Sequence, residues 1–306
     1  MNKGTGKTSE IAIVLPCLND FASISRLILE IDKILKKAVI KHKIYICDDG
    51  STKDQIKDLT NFTNKHANVE LLIGEYKSGH QEAILRGLNF VSDTSVGTRP
   101  DVVVMDSDGE DNPEHIIHLV EELNQTKCNA VLAKRGTRHS GIRFVLLHKL
   151  FNIPFKLLTG KKLETGNFMI INGDWLLALV KLPSVSNHVS ASVTRFAPTI
   201  KLLTLDRSKR YFGNSQMNTA SLSLHGYGAL AVYADIALSR LVIMTTLFGG
   251  FIATVGLTLV VLKLLITDLF LPGWTSNAVL QIFSLILITI FQAVTTTIII
   301  LSTKKK

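Results

Sequence analysis

Residues 101–108 read Asp101-Val102-Val103-Val104-Met105-Asp106-Ser107-Asp108. A short apolar run that stops on a turn of two carboxylates has the form of a strand buried on both faces. Upstream, residues 43–47 form a similar run that ends in Asp48-Asp49-Gly50-Ser51, and residues 11–15 another that ends at Pro16. Residues 69–73 and 130–133 complete a set of five. Between them lie stretches with helical spacing, over 23–37, 53–65, 80–91 and 113–125, the last opening with Pro113 in its first turn. Alternating strands and helices with continuous apolar strands imply an α/β fold, its parallel sheet covered on both faces. Such sheets bind ligands at the carboxyl ends of their strands, where both acidic clusters fall.

Beyond residue 135 the composition changes. Residues 138–162 are basic and apolar, as in Val145-Leu146-Leu147-His148-Lys149-Leu150-Phe151, and fit either an interfacial amphipathic helix or a core-facing one. A second such stretch, 220–239, leads into residues 241–262, 22 positions without a charge. At ~1.5 Å per residue that run reaches roughly 33 Å, enough to cross a bilayer. Residues 278–302 form a second charge-free run, broken by Gln281 and Gln292. Lys209, Arg210 and Arg240 precede the first run, and Lys304, Lys305 and Lys306 follow the second, while the link carries one cation, Lys263. The bias of positive charge puts both termini and the N-terminal domain in the cytosol, with a bacterial inner membrane as the expected location.

The bulk numbers agree. The chain has 306 residues, 46% of them hydrophobic, a formal charge of +9 and a mean hydropathy of +0.28. A net positive charge suits nucleic acid or an anionic membrane face; with two candidate spans the membrane is favoured and no nucleic-acid partner is expected. Cys17, Cys47 and Cys128 are odd in number, lack metal-site spacing and read as core thiols in a reducing compartment. No apolar leader precedes the first strand, so no cleavable signal peptide is expected.

Two carboxylates one residue apart on a turn, as in Asp106-Ser107-Asp108, can share a hard divalent cation that also binds a diphosphate. Taken singly, each acidic turn also reads as a capped, solvated loop. As a pair at two strand ends of one sheet they point to a site. Arg135, Arg138, Arg207, Lys209 and Arg210 flank the membrane-proximal segments. Arginine forks suit a lipid phosphate, and juxtamembrane cations also serve headgroup attraction.

Four segments together carry a family resemblance: Ile13-Val14-Leu15-Pro16-Cys17-Leu18-Asn19, Asp48-Asp49-Gly50-Ser51, Gly79-His80-Gln81-Glu82-Ala83 and Asp106-Ser107-Asp108-Gly109-Glu110-Asp111-Asn112-Pro113-Glu114. The set resembles family 2 glycosyltransferases of the GT-A fold, and among them the polyprenyl-phosphate sugar transferases and dolichol-phosphate mannose synthases. The resemblance implies a GT-A (Rossmann-like, mostly parallel) catalytic domain over 10–218 after a flexible terminus over 1–9. A juxtamembrane amphipathic helix over 219–240 and a two-helix transmembrane anchor over 241–306 follow. It also implies that Pro16 and Asn19 line the nucleotide pocket, with Asp48 on the base or ribose and Asp49 beside it. Asp106 and Asp108 would hold Mg²⁺ or Mn²⁺ and the diphosphate. Glu110 stands where relatives usually have glutamine, and is a third candidate ligand. Glu164, in Glu164-Thr165-Gly166-Asn167-Phe168, matches an acidic position facing the donor sugar that is more often aspartate. Arg135 and Arg207 would hold the acceptor phosphate.

The implied reaction moves one sugar from a UDP- or GDP-sugar to an undecaprenyl or dolichyl phosphate, with inversion. A phosphate monoester is already anionic, so it attacks without a strong base. The processive Gln-x-x-Arg-Trp signature is absent. Two rivals stand beside this: a diacylglycerol-type or glycan acceptor, which would need Glu164 or Asp111 as base, and a non-catalytic membrane scaffold or sensor. Gly4-Thr5-Gly6-Lys7-Thr8 has only the tail of a P-loop, and His115 and His118 lack a third metal ligand. Asn187, His188 and His225 are placed near the cleft without a role. Association into homo-oligomers through the spans is left open.

Overall fold

A computed structural model describes residues 10–95, 97, 99–135, 152–162, 164–213, 219–266 and 273–303. The flexible terminus and P-loop tail read over 1–9, Arg138 with the stretch to Phe151, and Lys304–Lys306 lie outside the described residues. The rest divides into two compact units, one from residues up to 135 with 164–232, the other from 152–162 with 233–303.

The first unit is built on a seven-stranded sheet in the order β3-β2-β1-β4-β6-β5-β7. Its strands are β1 Ile11–Cys17, β2 His42–Asp48, β3 Val69–Leu72, β4 Asp101–Val104, β5 Ala130–Arg135, β6 Thr165–Ile171 and β7 Ile200–Leu205. The pairs β1–β2, β2–β3, β1–β4 and β5–β7 are parallel, as the alternation with helices requires. β6 runs antiparallel to both β4 and β5. The expectation of a mostly parallel sheet therefore holds, with four of the six strand pairings parallel, and β6 alone makes the sheet mixed. A strand's direction is set by where the chain re-enters the sheet, and the residues of β6 do not encode that.

Both faces of the sheet are covered. Along β1, Ile11, Ile13 and Leu15 pack into one core and Ala12 and Val14 into the other, the period-two division expected of a doubly buried strand. Helices α1 Phe21–Lys37 and α4 His115–Thr126 lie on the first face, with α2 Lys53–Thr63 beside them. Asp20 caps α1 by accepting from Ser23 N, and the buried row Ile24, Leu27, Ile28, Ile31 and Leu35 has the spacing of one helical stripe. Helices α3 His80–Thr94, α5 Gly173–Val180 and α6 Val189–Phe196 cover the second face.

Gly87 on α3 shows how close that packing is. A Cβ there would meet Cys47 Sγ at 2.5 Å and Val14 Cγ1 at 2.6 Å. Gly87→Val should therefore lower stability by about 1–3 kcal/mol through overpacking. An unchanged midpoint of thermal unfolding, followed by circular dichroism on detergent-solubilised protein, would contradict this close contact. All three cysteines are buried and free. Burial pushes the thiols of Cys17 and Cys47 up to about 12, which makes them inert packing groups.

After β7 the chain passes through residues 206–213 to α7 Thr219–Val232, the last helix of the first unit. The second unit contains α8 Ala234–Leu265, α9 Trp274–Thr303 and a helical segment over 152–159. The stretch read as one amphipathic element over 220–239 thus covers nearly all of α7 and the start of α8. Within the second unit Gly256 and Gly249 let the two long helices approach. A Cβ at Gly256 would stand 2.9 Å from Ile282, and one at Gly249 3.1 Å from Thr289. Arg240 donates to Leu157 O at 3.1 Å, and Phe155 meets the Tyr233 ring edge-on.

The stretches 234–265 and 276–295 are long and apolar enough to cross a membrane, and only 6% and 0% of their apolar windows are buried. Core helices of a soluble protein would be covered. Here Leu247, Phe251, Leu257, Phe283 and Phe291 are each more than half exposed, a surface that fits membrane association.

Candidate active site

The carboxyl ends of β1 and β2 are tied together by side chains. Asn19, at a left-handed φ of 52°, donates its N–H to Ser51 Oγ at 2.8 Å and accepts from Thr52 N at 2.8 Å. Asp48, fully buried, accepts from Gly50 N at 3.0 Å and Ser51 N at 3.1 Å, so its carboxylate folds its own turn. Gly50 has φ 82°, and a Cβ there would lie 2.7 Å from Lys77 N. Asp49 points the other way. Its Oδ1 accepts from Ser78 N and Gly79 N, both at 2.8 Å, and from Ser78 Oγ at 3.2 Å, which fixes the entry to α3. Arg86 locks the same corner, donating to Asp48 O at 2.6 Å and to Ser78 Oγ at 3.1 Å. Pro16 is buried in β1, in register with Cys47.

The tip of β4 carries Asp106, Asp108, Glu110 and Asp111 within six residues. Asp108 Oδ1 accepts from Glu110 N at 2.9 Å, closing the turn through Gly109 at φ 82°. Four carboxylates this close repel one another unless cations lie among them. Two guanidinium groups do, with a histidine beside them. His80, at the start of α3, places Nε2 3.2 Å from Asp106 Oδ1. Arg207 reaches Glu110 at 2.7 Å and Asp111 at 3.2 Å, and Arg210 reaches Asp108 at 2.6 Å and Glu110 at 3.9 Å. Desolvation alone would lower the His80 pKa; the hydrogen bond to Asp106 and the charges of Asp106, Asp49 and Asp108 outweigh it and raise it. Desolvation also works against the Arg207 charge, and Asp111, Glu110, Asp106 and Asp108 hold it on.

Asn167 of β6 links this tip to its surroundings. Its amide lies 2.9 Å from His80 Nε2, and its oxygen accepts from Gln81 at 3.3 Å; Gln81 in turn accepts from Val189 N at 2.7 Å. Glu164, just before β6, pairs with Lys134 of β5 at 3.2 Å. Arg135 ends β5, and its side chain lies outside the described residues. Asp106, Asp111, Lys134, Asn167, Asp206 and Arg207 share the walls of a cavity of about 20 Å³. Of the residues expected from sequence, Asp106, Asp108, Glu110 and Arg207 are therefore brought together, and Pro16, Asn19, Asp48 and Asp49 form the neighbouring strand ends. Glu164 stands across β5–β6 with Lys134.

Sequence reading missed His80, Arg86 and Asn167 as parts of this assembly. His80 and Asn167 stood in the quoted motifs, and nothing local marked them as partners eighty-seven residues apart. His188 caps α6 by accepting from Ala191 N at 3.2 Å and lies 3.1 Å from His225 Nε2. His115 and His118 stack at 5.6 Å, and desolvation followed by the His118 charge lowers the His115 pKa.

Among the described residues no group of three or more His, Cys, Asp or Glu side chains stands ready to hold a metal ion. The carboxylates of the β4 tip are nonetheless hard oxygen donors gathered at one turn, and cationic side chains already sit on them. That donor set fits a divalent cation once those side chains give way.

Comparison with known proteins agrees with this arrangement. Over 285 residues the chain is 25% identical to an undecaprenyl-phosphate 4-deoxy-4-formamido-L-arabinose transferase of Yersinia enterocolitica, covering 92% of this chain and 83% of that one. The transferase of the same name from Yersinia pestis (strain Pestoides F) is also 25% identical, over 90% and 82%. Among solved structures, mannosyl-3-phosphoglycerate synthase from Rubrobacter xylanophilus superposes with a TM-score of 0.54 at 17% identity, over 74% and 73% of the two chains. Glucosyl-3-phosphoglycerate synthase from Mycobacterium tuberculosis, solved with Mn²⁺, UDP and phosphoglyceric acid, gives 0.53 at 19% identity over 76% and 78%. These share the fold, a GT-A-like domain. The acidic turn of β4, the β1–β2 strand ends and the helices behind them all lie within residues 12–180, which match the model of glycosyl transferase family 2 across more than half of the chain, and the protein is an enzyme of that family.

Proposed function

We propose that this glycosyltransferase moves one sugar from a UDP- or GDP-sugar to a polyprenyl phosphate at the cytosolic face of a membrane, with inversion at the anomeric carbon. The observation that carries the proposal is a carboxylate turn at the β4 tip in a chain that also has two helices able to cross a bilayer. The named activity of the Yersinia relatives supports the acceptor class. In this reading residues 10–218 are the catalytic domain, 219–240 lie at the membrane surface, 241–306 are the anchor, and both termini are cytosolic.

Asp106 and Asp108, with Glu110 beside them, would hold Mg²⁺ or Mn²⁺. When bound, such an ion neutralises charge developing on the leaving diphosphate. The chain's own residues do the rest. Pro16, Asn19 and the Asp48–Asp49 loop shape the nucleotide end of the cleft. Arg207 exchanges its carboxylate partners for the acceptor phosphate, joined by Arg135, and aligns it for in-line attack. Glu164 faces the donor sugar.

The geometry favours an acceptor that needs no base. Glu164, the carboxylate assigned to the donor sugar, is engaged by Lys134 at 3.2 Å. A phosphate acceptor is already ionised, whereas a glycerol or glycan hydroxyl must lose a proton. The test uses purified enzyme with radiolabelled UDP- and GDP-sugars, offering undecaprenyl phosphate or diacylglycerol. Labelled, acid-labile polyprenyl product is expected, and EDTA should abolish it. Glu164→Gln should cost less than about tenfold, because general base catalysis, worth ~10²–10⁴, is not in use. Labelled diacylglycerol, with a loss of about 10³-fold in Glu164→Gln, would move the proposal to a hydroxyl acceptor.

A further inference from the structure

Residues 206–213 lie along the acidic turn as a strap. Asp111 and Arg207 form an antiparallel bridge, Ser208 N donates to Glu110 O at 2.8 Å, and Tyr211 N donates to Asp108 O at 3.0 Å. The strap's far end is fastened to α1. The Tyr211 hydroxyl donates to Glu30, and the Arg26 guanidinium sits 4.2 Å above the Tyr211 ring. That ring fills the space over Gly109, where a Cβ would come within 2.4 Å of it. Two arginines project from this strap into the four carboxylates: Arg210 onto Asp108 and Arg207 onto Glu110 and Asp111.

Two physical consequences follow. The Arg210 guanidinium, 2.6 Å from Asp108 Oδ2, places a fixed positive charge where a divalent cation would approach that carboxylate, and the two repel. The cavity beneath the strap is about 20 Å³, room for roughly one water, whereas small-molecule sites run ~300–1,000 Å³. The strap therefore occupies both the cation position and the roof of the cleft.

We propose that residues 206–213 are an exchangeable, self-inhibiting strap: Arg210 serves as the counter-ion of Asp108 in the resting enzyme, and a divalent cation displaces it and lifts the strap from the cleft. The proposal rests on the reading that Asp106 and Asp108 hold the cation. It assigns a sequence to loading, with the cation entering against a bound arginine and the diphosphate entering the space then opened. The released Arg210 remains tethered beside the site as a cation for the incoming diphosphate.

The test measures Mn²⁺ binding to the full detergent-solubilised chain, without nucleotide, by the electron paramagnetic resonance signal of free Mn²⁺. Arg210→Ala should bind Mn²⁺ about tenfold more tightly than wild type, because a competing charge-assisted contact is gone. Tyr211→Phe keeps the ring over Gly109 and removes only the bond to Glu30. It should tighten Mn²⁺ binding by about threefold through a looser strap, and it decides the matter if Arg210→Ala does not fold. Lys209→Ala, exposed on the same strap, should leave Mn²⁺ affinity unchanged. Hydrogen exchange adds a direct readout: Mg²⁺ should speed exchange of the Ser208 and Tyr211 amides.

Mn²⁺ affinities of Arg210→Ala and Tyr211→Phe equal to or weaker than wild type would overturn the proposal. So would Lys209→Ala tightening as much as Arg210→Ala, which would reveal only a through-space charge effect. Slower or unchanged exchange at Ser208 and Tyr211 with Mg²⁺ would overturn it too. Asp108→Asn separates the two layers. Loss of Mn²⁺ binding there sustains the cation reading whatever the strap variants do, and retention overturns both.

Discussion

Asp108→Asn is expected to lower sugar transfer by about 10³-fold or more at saturating donor, with the polyprenyl product falling to background. Asparagine keeps the shape of the turn, since its oxygen can still accept from Glu110 N, the contact that Asp108 makes at 2.9 Å. It removes the charge. In the proposed reaction that charge holds the cation offsetting the negative charge of the leaving diphosphate, a contribution of several kcal/mol, and each ~1.4 kcal/mol is a factor of ten in rate. The variant should also lose its response to added Mn²⁺, and the radiolabelled lipid assay checks both effects. Turnover within tenfold of wild type would mean that the acidic turn is a capped loop and that the diphosphate is stabilised elsewhere.

The second large effect is expected at Asp49, a residue that acts on the site through the backbone. Asp49 is buried, and its Oδ1 accepts from Ser78 N, Gly79 N and Ser78 Oγ. Asp49→Ala would strand two amides at the entry to α3, at a cost of about 2–4 kcal/mol for charge-assisted bonds left unmade. His80 follows Gly79 directly, so the histidine beside Asp106 would lose its placement along with the loop. The expected result is a drop of several degrees in thermal midpoint together with a raised KM for the nucleotide sugar. Asp49→Asn, which retains an accepting oxygen, should recover most of the stability. If alanine and asparagine were equally harmful, the charge of Asp49 would matter more than its bonds, and a direct role with the donor would replace the structural one.

Much of this architecture is legible before any coordinates. The apolar runs of β1, β2 and β4 are fully buried, and a run of that kind flanked by helical spacing has few other solutions. The long C-terminal helices are legible for a similar reason, because twenty or more residues without charge leave little choice of environment. Of the site, the sequence marks the Asp106–Asp108 turn and the Asp48–Asp49 loop, since acidic residues at strand ends form a local pattern. It marks Arg207 and Arg210 only as cations near a membrane segment. Their pairing with Glu110 and Asp108 joins positions about a hundred residues apart.

Local spacing, then, is enough to set strand, helix and apolar span, because each depends on neighbours within a few residues whose burial follows a fixed period. The direction of β6, the meeting of His80 with Asp106 and with Asn167, and the strap of arginines over the carboxylates come only from the tertiary structure. Each is a matter of where distant segments return to the sheet, and electrostatic pairing depends on distance in space, which no periodicity along the chain records.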